Sequence, residues 1–409
     1  MKNIFNKLKN TSLIMRIVAG LTVGIVLGIV WPGNSFINLL GQVFLGALKS
    51  IAPILVFVLV ISSLTNAKGG IGKRFRTVIL LYLLSTLLAA FIAVIASRIF
   101  PVTLMLSGNI VQVEAVPAGI GEILNNLVLS MVSNPVEALA QGNYMGILTW
   151  SVIFGIALKH TASDATKQVF QHISDAVALA VKWIINCAPL GIMGTVYSSV
   201  SQSGVGIFAN YGRLLALIAG CIVVFVLVIE PLIVAVCLKM NPYPLVFRCL
   251  KSSAVTAFFT RSSAANIPIN MALCEKLGLD RDMYSVSIPL GSTINMDGAA
   301  ITITIMALAV ANTVGIHVDF PTSLILCVVA AFGACGSSGV AGGSLMLIPM
   351  ACSLFGVGSD IAMQAVGVGF IIGVLQDSLE TAVNSSGDVL FTATAEFMEW
   401  KKQGREIKF

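Results

Sequence analysis

The chain has 409 residues, of which 57% are apolar and only 10% are charged. Charged residues are too few to form the water-exposed surface of a soluble protein of this length. The composition therefore excludes an ordinary soluble domain and predicts a protein embedded in a lipid bilayer. The formal net charge of +6 does not indicate a nucleic-acid partner, because the basic residues lie between apolar runs. The eight cysteines form no CxxC pair and lie mostly within apolar runs, so we expect buried free thiols.

Long apolar runs fill the first half of the chain, and about 20 residues suffice for a helix to cross the hydrocarbon layer. The predicted spans lie near 13–31, 38–65, 76–100, 143–158, 172–200 and 207–238. An external segment at 103–142 is predicted to carry a helical stretch around 120–132. No small-residue cleavage pattern follows the first run, so we interpret it as a retained span rather than a signal peptide.

The distribution of basic residues predicts the orientation of these spans. Lys and Arg occur before the first span, after the second and at the C-terminus, but the stretch 99–158 contains none. Because cytoplasmic loops carry the excess of Lys and Arg, we expect both termini in the cytoplasm and the segment 99–143 outside.

After residue 239 the apolar segments are interrupted. Segment 245–275 has basic residues near both ends and a polar break at 260–263, and segment 322–356 is broken by glycines and serines. Each reads as a re-entrant hairpin. The first precedes a span at 283–313 that polar residues interrupt at 295–298, and the second precedes a span at 361–391 that also carries polar residues. Two such units in opposite orientation are typical of secondary transporters, in which unwound backbone near the membrane centre lines a binding site.

Four carboxylates lie in or near the ends of these last spans: Asp297, Asp377, Glu380 and Asp388. Each costs roughly 2.5–3.5 kcal/mol at the bilayer centre, so we expect them to have a function. Asp377 and Glu380 share a helical face with Asn384, which predicts a binding surface. Asp388 alone could instead reach the membrane interface.

Residues at the first hairpin break could have structural roles, substrate-binding roles or both. Arg261 could be a structural partner for one of the carboxylates. Ser262 and Ser263 could be helix N-caps, substrate contacts or both.

Oxygen-bearing side chains in the spans favour a hard cation. They belong to Asp297, Asp388, Asn295, Asn384, Thr293, Ser85 and Thr86. No histidine lies inside a predicted span, which favours Na⁺ over a soft metal or a histidine proton relay, although proton coupling through carboxylates stays open. The hydroxyls of Tyr82, Ser85 and Thr86 are better explained, from their spacing alone, by simple helix packing.

Several motifs carry a resemblance to a known family. They are TRSSA at 260–264, PLGSTINMDG at 289–298, the glycine-rich second hairpin, and Asp377, Thr381, Asn384 and Gly387-Asp388. Over nearly its whole length the chain resembles the dicarboxylate/amino acid:cation symporter family, which includes the glutamate transporters. Within it, the motifs are most similar to those of bacterial sodium:serine/threonine symporters.

The resemblance implies Na⁺-coupled uptake of L-serine and L-threonine, with Asp377 on the substrate ammonium and Asn384 and Ser263 on its carboxylate. The implied substrate residues are Ser262, Ser263, Gly339, Asp377, Glu380, Thr381 and Asn384. One implied Na⁺ site consists of Gly291, Asn295, Asn384 and Asp388. A second uses backbone oxygens near Thr293 and of Ala334, Cys335 and Ser337. A third consists of Tyr82, Ser85, Thr86, Asn295 and Asp297.

The same resemblance implies an all-α fold of eight transmembrane helices and two re-entrant hairpins, assembled as a homotrimer in the bacterial inner membrane. Residues 1–75 and 103–200 would form the scaffold, and 76–102 and 201–409 a transport domain that slides past it. The second hairpin would act as the gate.

The chain departs from the acidic-substrate members at Glu380, where they carry an arginine for the distal carboxylate of the substrate. A glutamate there repels acidic substrates and can accept a hydrogen bond from a short hydroxyl side chain. Ala264 and Ala341 also replace a serine and a proline in the two hairpins.

Other functions remain as alternatives. A symporter of dicarboxylates or acidic amino acids is disfavoured by Glu380, and a channel is disfavoured by the two broken hairpins. An enzyme is not expected, because the chain contains no GxSxG, HExxH or GxxxxGK[ST] motif.

Overall fold

The computed structural model describes residues 13–66, 73–106, 128–129, 131–204, 206–335, 337 and 342–407. Throughout these ranges the secondary structure is helical, without strands, as the sequence predicts. In chain order the helices are α1 Leu13–Val30, α2 Ser35–Asn66, α3 Lys73–Ile99, α4 Pro135–Gln141, α5 Tyr144–Thr161, α6 Asp164–Asn186, α7 Ala188–Ser203, α8 Ile207–Val224, α9 Glu230–Leu238, α10 Tyr243–Cys249, α11 Val255–Thr260, α12 Ser263–Lys276, α13 Arg281–Ile294, α14 Asp297–Thr313, α15 Phe320–Ala334, α16 Ile348–Ser353 and α17 Ser359–Lys402. Short π-helical turns at Phe225–Ile229 and Leu250–Ala254 join α8 to α9 and α10 to α11, and a 3₁₀ turn at Ser344–Leu347 precedes α16.

Several of these helices are long and apolar enough to cross a membrane. In the described part of the chain there are five: Ser35–Asn66, Arg74–Ile99, Phe208–Leu238, Arg281–Thr313 and Ser359–Lys402. A bent pair, Asp164–Asn186 with Ala188–Ser201, makes a sixth if it forms one span. The chain is therefore a multi-pass membrane protein.

The bent pair differs from the single span predicted at 172–200. Its two helices meet at Cys187 with a bend of 53°. Pro189 lies in the first turn of α7. Because proline has no amide hydrogen and its ring clashes with the carbonyl four residues earlier, a straight helix cannot pass through this point.

The helices pack in two groups. In the first, α1 and α2 pack against α5, α6 and α7. In the second, α3, α8, α15, α16 and α17 pack against α14, in which every residue from Asp297 to Ala311 is buried, and α9 to α13 pack against α17. The groups touch along α17, where the rings of Phe44 and Phe370 meet edge to face at 5.5 Å. A helix that is buried on all sides holds the centre of the second group.

The helix breaks predicted at 260–263 and 295–298 are both present. Arg261 has a left-handed backbone with φ of 52°, which ends α11. Ser262 then caps α12 by accepting from the Ala265 amide at 3.2 Å, which confirms its interpretation as an N-cap. Ser263 is instead the first residue of α12 and is buried. The break between α13 and α14 falls at Asn295 and Met296.

Two other sequence predictions are only partly met. Most of the predicted helical stretch at 120–132 lies outside the described residues. All eight cysteines are free, as expected, but only five are buried. Cys237 and Cys335 are partly buried, and Cys187 is exposed because it lies at the bend between α6 and α7.

Candidate functional site

Side chains of α17 hold the break between α13 and α14. Asn295 donates through Nδ2 to the backbone oxygen of Asn384 at 3.0 Å and to Oδ1 of Asp388 at 3.3 Å. The Asn384 side chain accepts from the Gly298 amide at 2.7 Å. The interrupted backbone thus finds partners in α17, which allows a span to unwind inside the protein without leaving its polar groups unpaired.

Two hydroxyls of α3 converge on Asp297, the first residue of α14. Ser85 donates to Oδ2 at 2.8 Å, and the Thr86 hydroxyl lies 3.0 Å from Oδ1. Thr86 also lies 2.9 Å from the Tyr82 carbonyl, which is the helix-packing contact that the sequence left open. The side chains of Ser85, Thr86 and Asp297 are all fully buried. A helix from far earlier in the chain therefore supplies two oxygens beside one carboxylate.

Asp388 lies against α13 at Gly291. A Cβ on this glycine would lie 2.6 Å from Asp388 Oδ1 and 2.8 Å from the Tyr82 hydroxyl, so a larger residue would push them apart. The Tyr82 hydroxyl donates to the backbone oxygen of Asp388 at 3.0 Å. Asp388 is fully buried, so it does not reach the membrane interface, the alternative that the sequence left open.

Two oxygens of this cluster lack a donor. Asp388 Oδ2 and Asn295 Oδ1 are both buried and have no hydrogen-bond partner. A buried unpaired polar atom costs about 1–3 kcal/mol, so this arrangement suits a bound cation. Among the described residues, no group of three or more His, Cys, Asp or Glu side chains could hold a metal ion. Amide, hydroxyl and carbonyl oxygens with single carboxylates suit a hard cation better than a transition metal.

The end of α15 approaches the same break. The Cys335 thiol contacts the Ile294 carbonyl at 3.3 Å, and the Ser337 amide donates to the Ala334 carbonyl at 2.9 Å. The Thr293 hydroxyl donates to the Leu290 carbonyl at 2.7 Å, within its own helix. The structure thus brings the residues named for the second cation site close to one another.

Both hairpins meet at Asp377. Arg261 at the tip of the first hairpin donates through Nε to Asp377 Oδ2 at 2.7 Å, and only 13% and 5% of the two side chains are exposed. The Gly342 amide of the second hairpin donates to Oδ1 at 3.3 Å. Arg261 is therefore the structural partner of a carboxylate, the role that the sequence suggested for it.

Glu380 lies one turn further along α17 and also binds the second hairpin. Its Oε2 accepts from the Ser344 hydroxyl at 2.8 Å and from Nε2 of Gln376. Gln376 in turn donates to Thr302 of α14 at 2.9 Å. Glu380 is thus held by one donor from its own helix and one from the 3₁₀ turn before α16.

Three further residues were predicted to contact the substrate. Ser263 and Thr381 are buried, with 1% and 6% exposed, while Gly339 lies outside the described residues. A cavity of about 20 Å³ adjoins Arg261 and Asp377. That volume holds about one water molecule, so it is too small for a larger solute beside Asp377.

Comparison with known proteins identifies the family. A model described as the sodium:dicarboxylate symporter family matches residues 13–397, nearly the whole chain. The chain belongs to this family. The match confirms the predicted resemblance, and a member of a symporter family is a transporter rather than an enzyme.

Curated relatives of this symporter are similar over almost their full length. It is 56% identical over 396 residues to the serine/threonine transporter SstT of Bifidobacterium adolescentis, covering 97% of this chain and 92% of that one. It is 56% identical to the same-named protein of Streptococcus agalactiae, covering 97% and 98%. The corresponding values for Streptococcus thermophilus are 53% identity, 98% and 100%.

Two buried polar features of the symporter were not anticipated from its sequence. The first is a network in which Asn266 and Asn270 of α12 bind Ser253 and Ser385, with the Asn266 amide 2.8 Å from the Ser385 hydroxyl. It ties the first hairpin to α17, and two asparagines four residues apart in an apolar segment were its signal. The second is Glu230, the only carboxylate in the predicted span at 207–238.

Proposed function

We propose that this symporter couples the entry of Na⁺ to the uptake of L-serine and L-threonine as a secondary active transporter. The names of its relatives support this substrate class. The observation that carries the proposal is the position of Asn384. Its side chain lies on the same face of α17 as Asp377, and its backbone oxygen accepts from Asn295 in the cation cluster. One residue thus belongs to both sites, so occupancy of either affects the other.

For the substrate, we assign the ammonium to Asp377, and the carboxylate to Asn384, Ser263 and the backbone at Ser262. Thr381 and Gly339 line the pocket, with Glu380 near the hydroxyl side chain. The ammonium takes the place of Arg261 on Asp377, because both are cations that satisfy the same carboxylate. That exchange releases the tip of the first hairpin.

For Na⁺, we assign three groups of ligands, and charge balance supports the first and the third because their buried carboxylates need a counter-ion. The first consists of Gly291, Asn295, Asn384 and Asp388. The second consists of the backbone of Thr293, Ala334, Cys335 and Ser337. The third consists of Tyr82, Ser85, Thr86, Asn295 and Asp297.

The proposed architecture has eight spans and two re-entrant hairpins. The first packing group corresponds to a scaffold of residues 1–75 and 103–200. The second corresponds to a transport domain of 76–102 and 201–409, which slides past the scaffold while the second hairpin opens as a gate. The contacts of Gly342 with Asp377 and Ser344 with Glu380 support that gate, because substrate at α17 would act directly on the hairpin. We further propose a homotrimer in the bacterial inner membrane with both termini cytoplasmic.

Purified protein in liposomes tests this function. With an inward Na⁺ gradient and no ATP, we expect saturable accumulation of labelled serine that unlabelled threonine inhibits. Replacing Na⁺ by K⁺ or choline should remove the accumulation. Non-saturating flux, as in a channel, or equal uptake without Na⁺ would contradict the proposal.

The exclusion of acidic substrates depends on Glu380. A second carboxylate at about 4 Å would be repelled by about 4 kcal/mol at an effective dielectric near 20, or roughly a thousandfold in affinity. Glu380→Gln should therefore let unlabelled aspartate inhibit serine uptake at far lower concentration. Glu380→Asp keeps the charge and serves as the control, so it should retain the exclusion. Strong inhibition of the wild type by aspartate would disprove this explanation.

A further inference from the structure

Glu230 is a buried carboxylate that the proposed sites do not use. It begins α9, and only 1% of its surface is exposed. Val228 and Leu232, two positions before and after Glu230, are instead 52% and 57% exposed, as expected for apolar side chains that face lipid. Glu230 therefore faces the interior of the protein, whereas its apolar neighbours lie on the outer surface of the same span.

The π-helical turn at Phe225–Ile229 orients this residue. Pro231 has no amide hydrogen for the Leu227 carbonyl, which instead accepts from the Tyr243 hydroxyl at 3.2 Å. The Glu230 amide reaches back five residues to the Phe225 carbonyl. One extra residue per turn shifts the following helix by about 100°, and such turns are frequent at functional sites.

Glu230 points into the cation cluster. A Cβ placed on Gly387 would lie 3.5 Å from Glu230 Oε1, 3.4 Å from Asp297 Oδ2 and 2.6 Å from Asn295 Nδ2. The two carboxylates thus face the same small space, which a side chain at position 387 would fill. Independently, Glu230 Oε1 is fully buried and has no hydrogen-bond partner. The Asp297 carboxylate, by contrast, accepts a hydrogen bond from the Ser85 hydroxyl of α3.

We propose that Glu230 is a further ligand of the cation bound beside Asp297, so that this site holds Na⁺ between two carboxylates. The unpartnered oxygen is the atom that points into the site. A monovalent cation there would relieve the repulsion of two carboxylates that water cannot reach. The inference rests on the proposed coupling to Na⁺ and assigns a residue that the family motifs do not include.

Glu230→Gln tests the proposal, because it removes the charge and keeps the shape. The thermal unfolding midpoint of purified protein is measured against NaCl, with choline chloride holding ionic strength constant. A ligand that binds only the folded protein raises this midpoint, so the Na⁺ concentration for half of the rise reports binding without transport. We expect at least a tenfold increase in that concentration, and a higher midpoint without Na⁺ because the unpaired charge is gone.

Glu396→Gln is the matched control. Glu396 is also only 1% exposed and has one unpartnered oxygen, but its other oxygen accepts from the Asp280 amide at 2.8 Å, away from the cluster. Its Na⁺ response should match the wild type. If Glu230→Gln does not fold, Glu230→Asp, which withdraws the charge by one methylene, must itself weaken the Na⁺ response severalfold.

Three results are decisive. An unchanged Na⁺ response of the Glu230 variant would overturn the inference. If the pH dependence of uptake were also altered in that variant, Glu230 would carry a proton instead of binding Na⁺, and the inference would again be overturned. A wild type that is stabilised by Na⁺ but does not take up serine would contradict the proposed function and leave the role of Glu230 intact.

Discussion

Serine uptake by an Asp377→Ala variant is expected to fall by more than a hundredfold at serine concentrations well below saturation. Asp377 is the only carboxylate that we assign to the substrate ammonium, and it lies in a dry pocket between both hairpins. Removing one partner of a buried ion pair costs about 3–5 kcal/mol, which corresponds to a loss of at least two powers of ten. The loss is measured as the uptake of labelled serine into liposomes under a saturating Na⁺ gradient.

The same substitution leaves Arg261 without its partner, so instability must be separated from lost binding. Asp377→Ala combined with Arg261→Ala removes both charges and should recover the unfolding midpoint but not uptake. Asp360→Ala, at an exposed position in the first turn of α17, should behave as wild type. Serine uptake by the double variant would show that the ammonium binds elsewhere.

An Asp297→Asn variant should need at least ten times more Na⁺ for half-maximal serine uptake. Carboxylate number sets the affinity of oxygen-based cation sites, and the amide would carry no charge to balance Na⁺. Serine uptake at a series of external Na⁺ concentrations, with choline as the balancing ion, gives the half-saturating concentration.

Ser85→Ala provides the comparison for this variant. It removes the hydroxyl that donates to Asp297 at 2.8 Å but keeps the charge, so its Na⁺ requirement should rise less. Asp282→Asn, in the exposed first turn of α13, should leave the requirement unchanged. If Asp297→Asn shows the Na⁺ dependence of the wild type, Asp297 is not a cation ligand.

Local patterns in the sequence predicted most of the helical framework. Apolar runs indicated the spans because burying polar backbone in lipid leaves few structures other than helices. Breaks at Arg261 and Asn295 were predicted because polar residues interrupt those runs. Spacings of three, four and seven residues placed Asp377, Glu380 and Asn384 on one face of α17, and that inference needs only the helical repeat.

The sequence by itself therefore determined the membrane class, the two breaks and the polar face of α17. Only the tertiary structure decided which groups meet that face. It put the hydroxyls of Ser85 and Thr86 on Asp297, whereas the spacing of these residues had favoured simple helix packing. It paired Arg261 with Asp377 and turned Glu230 toward Gly387. The physical reason is that residue spacing determines the face of one helix, whereas the partner of that face depends on how distant helices pack.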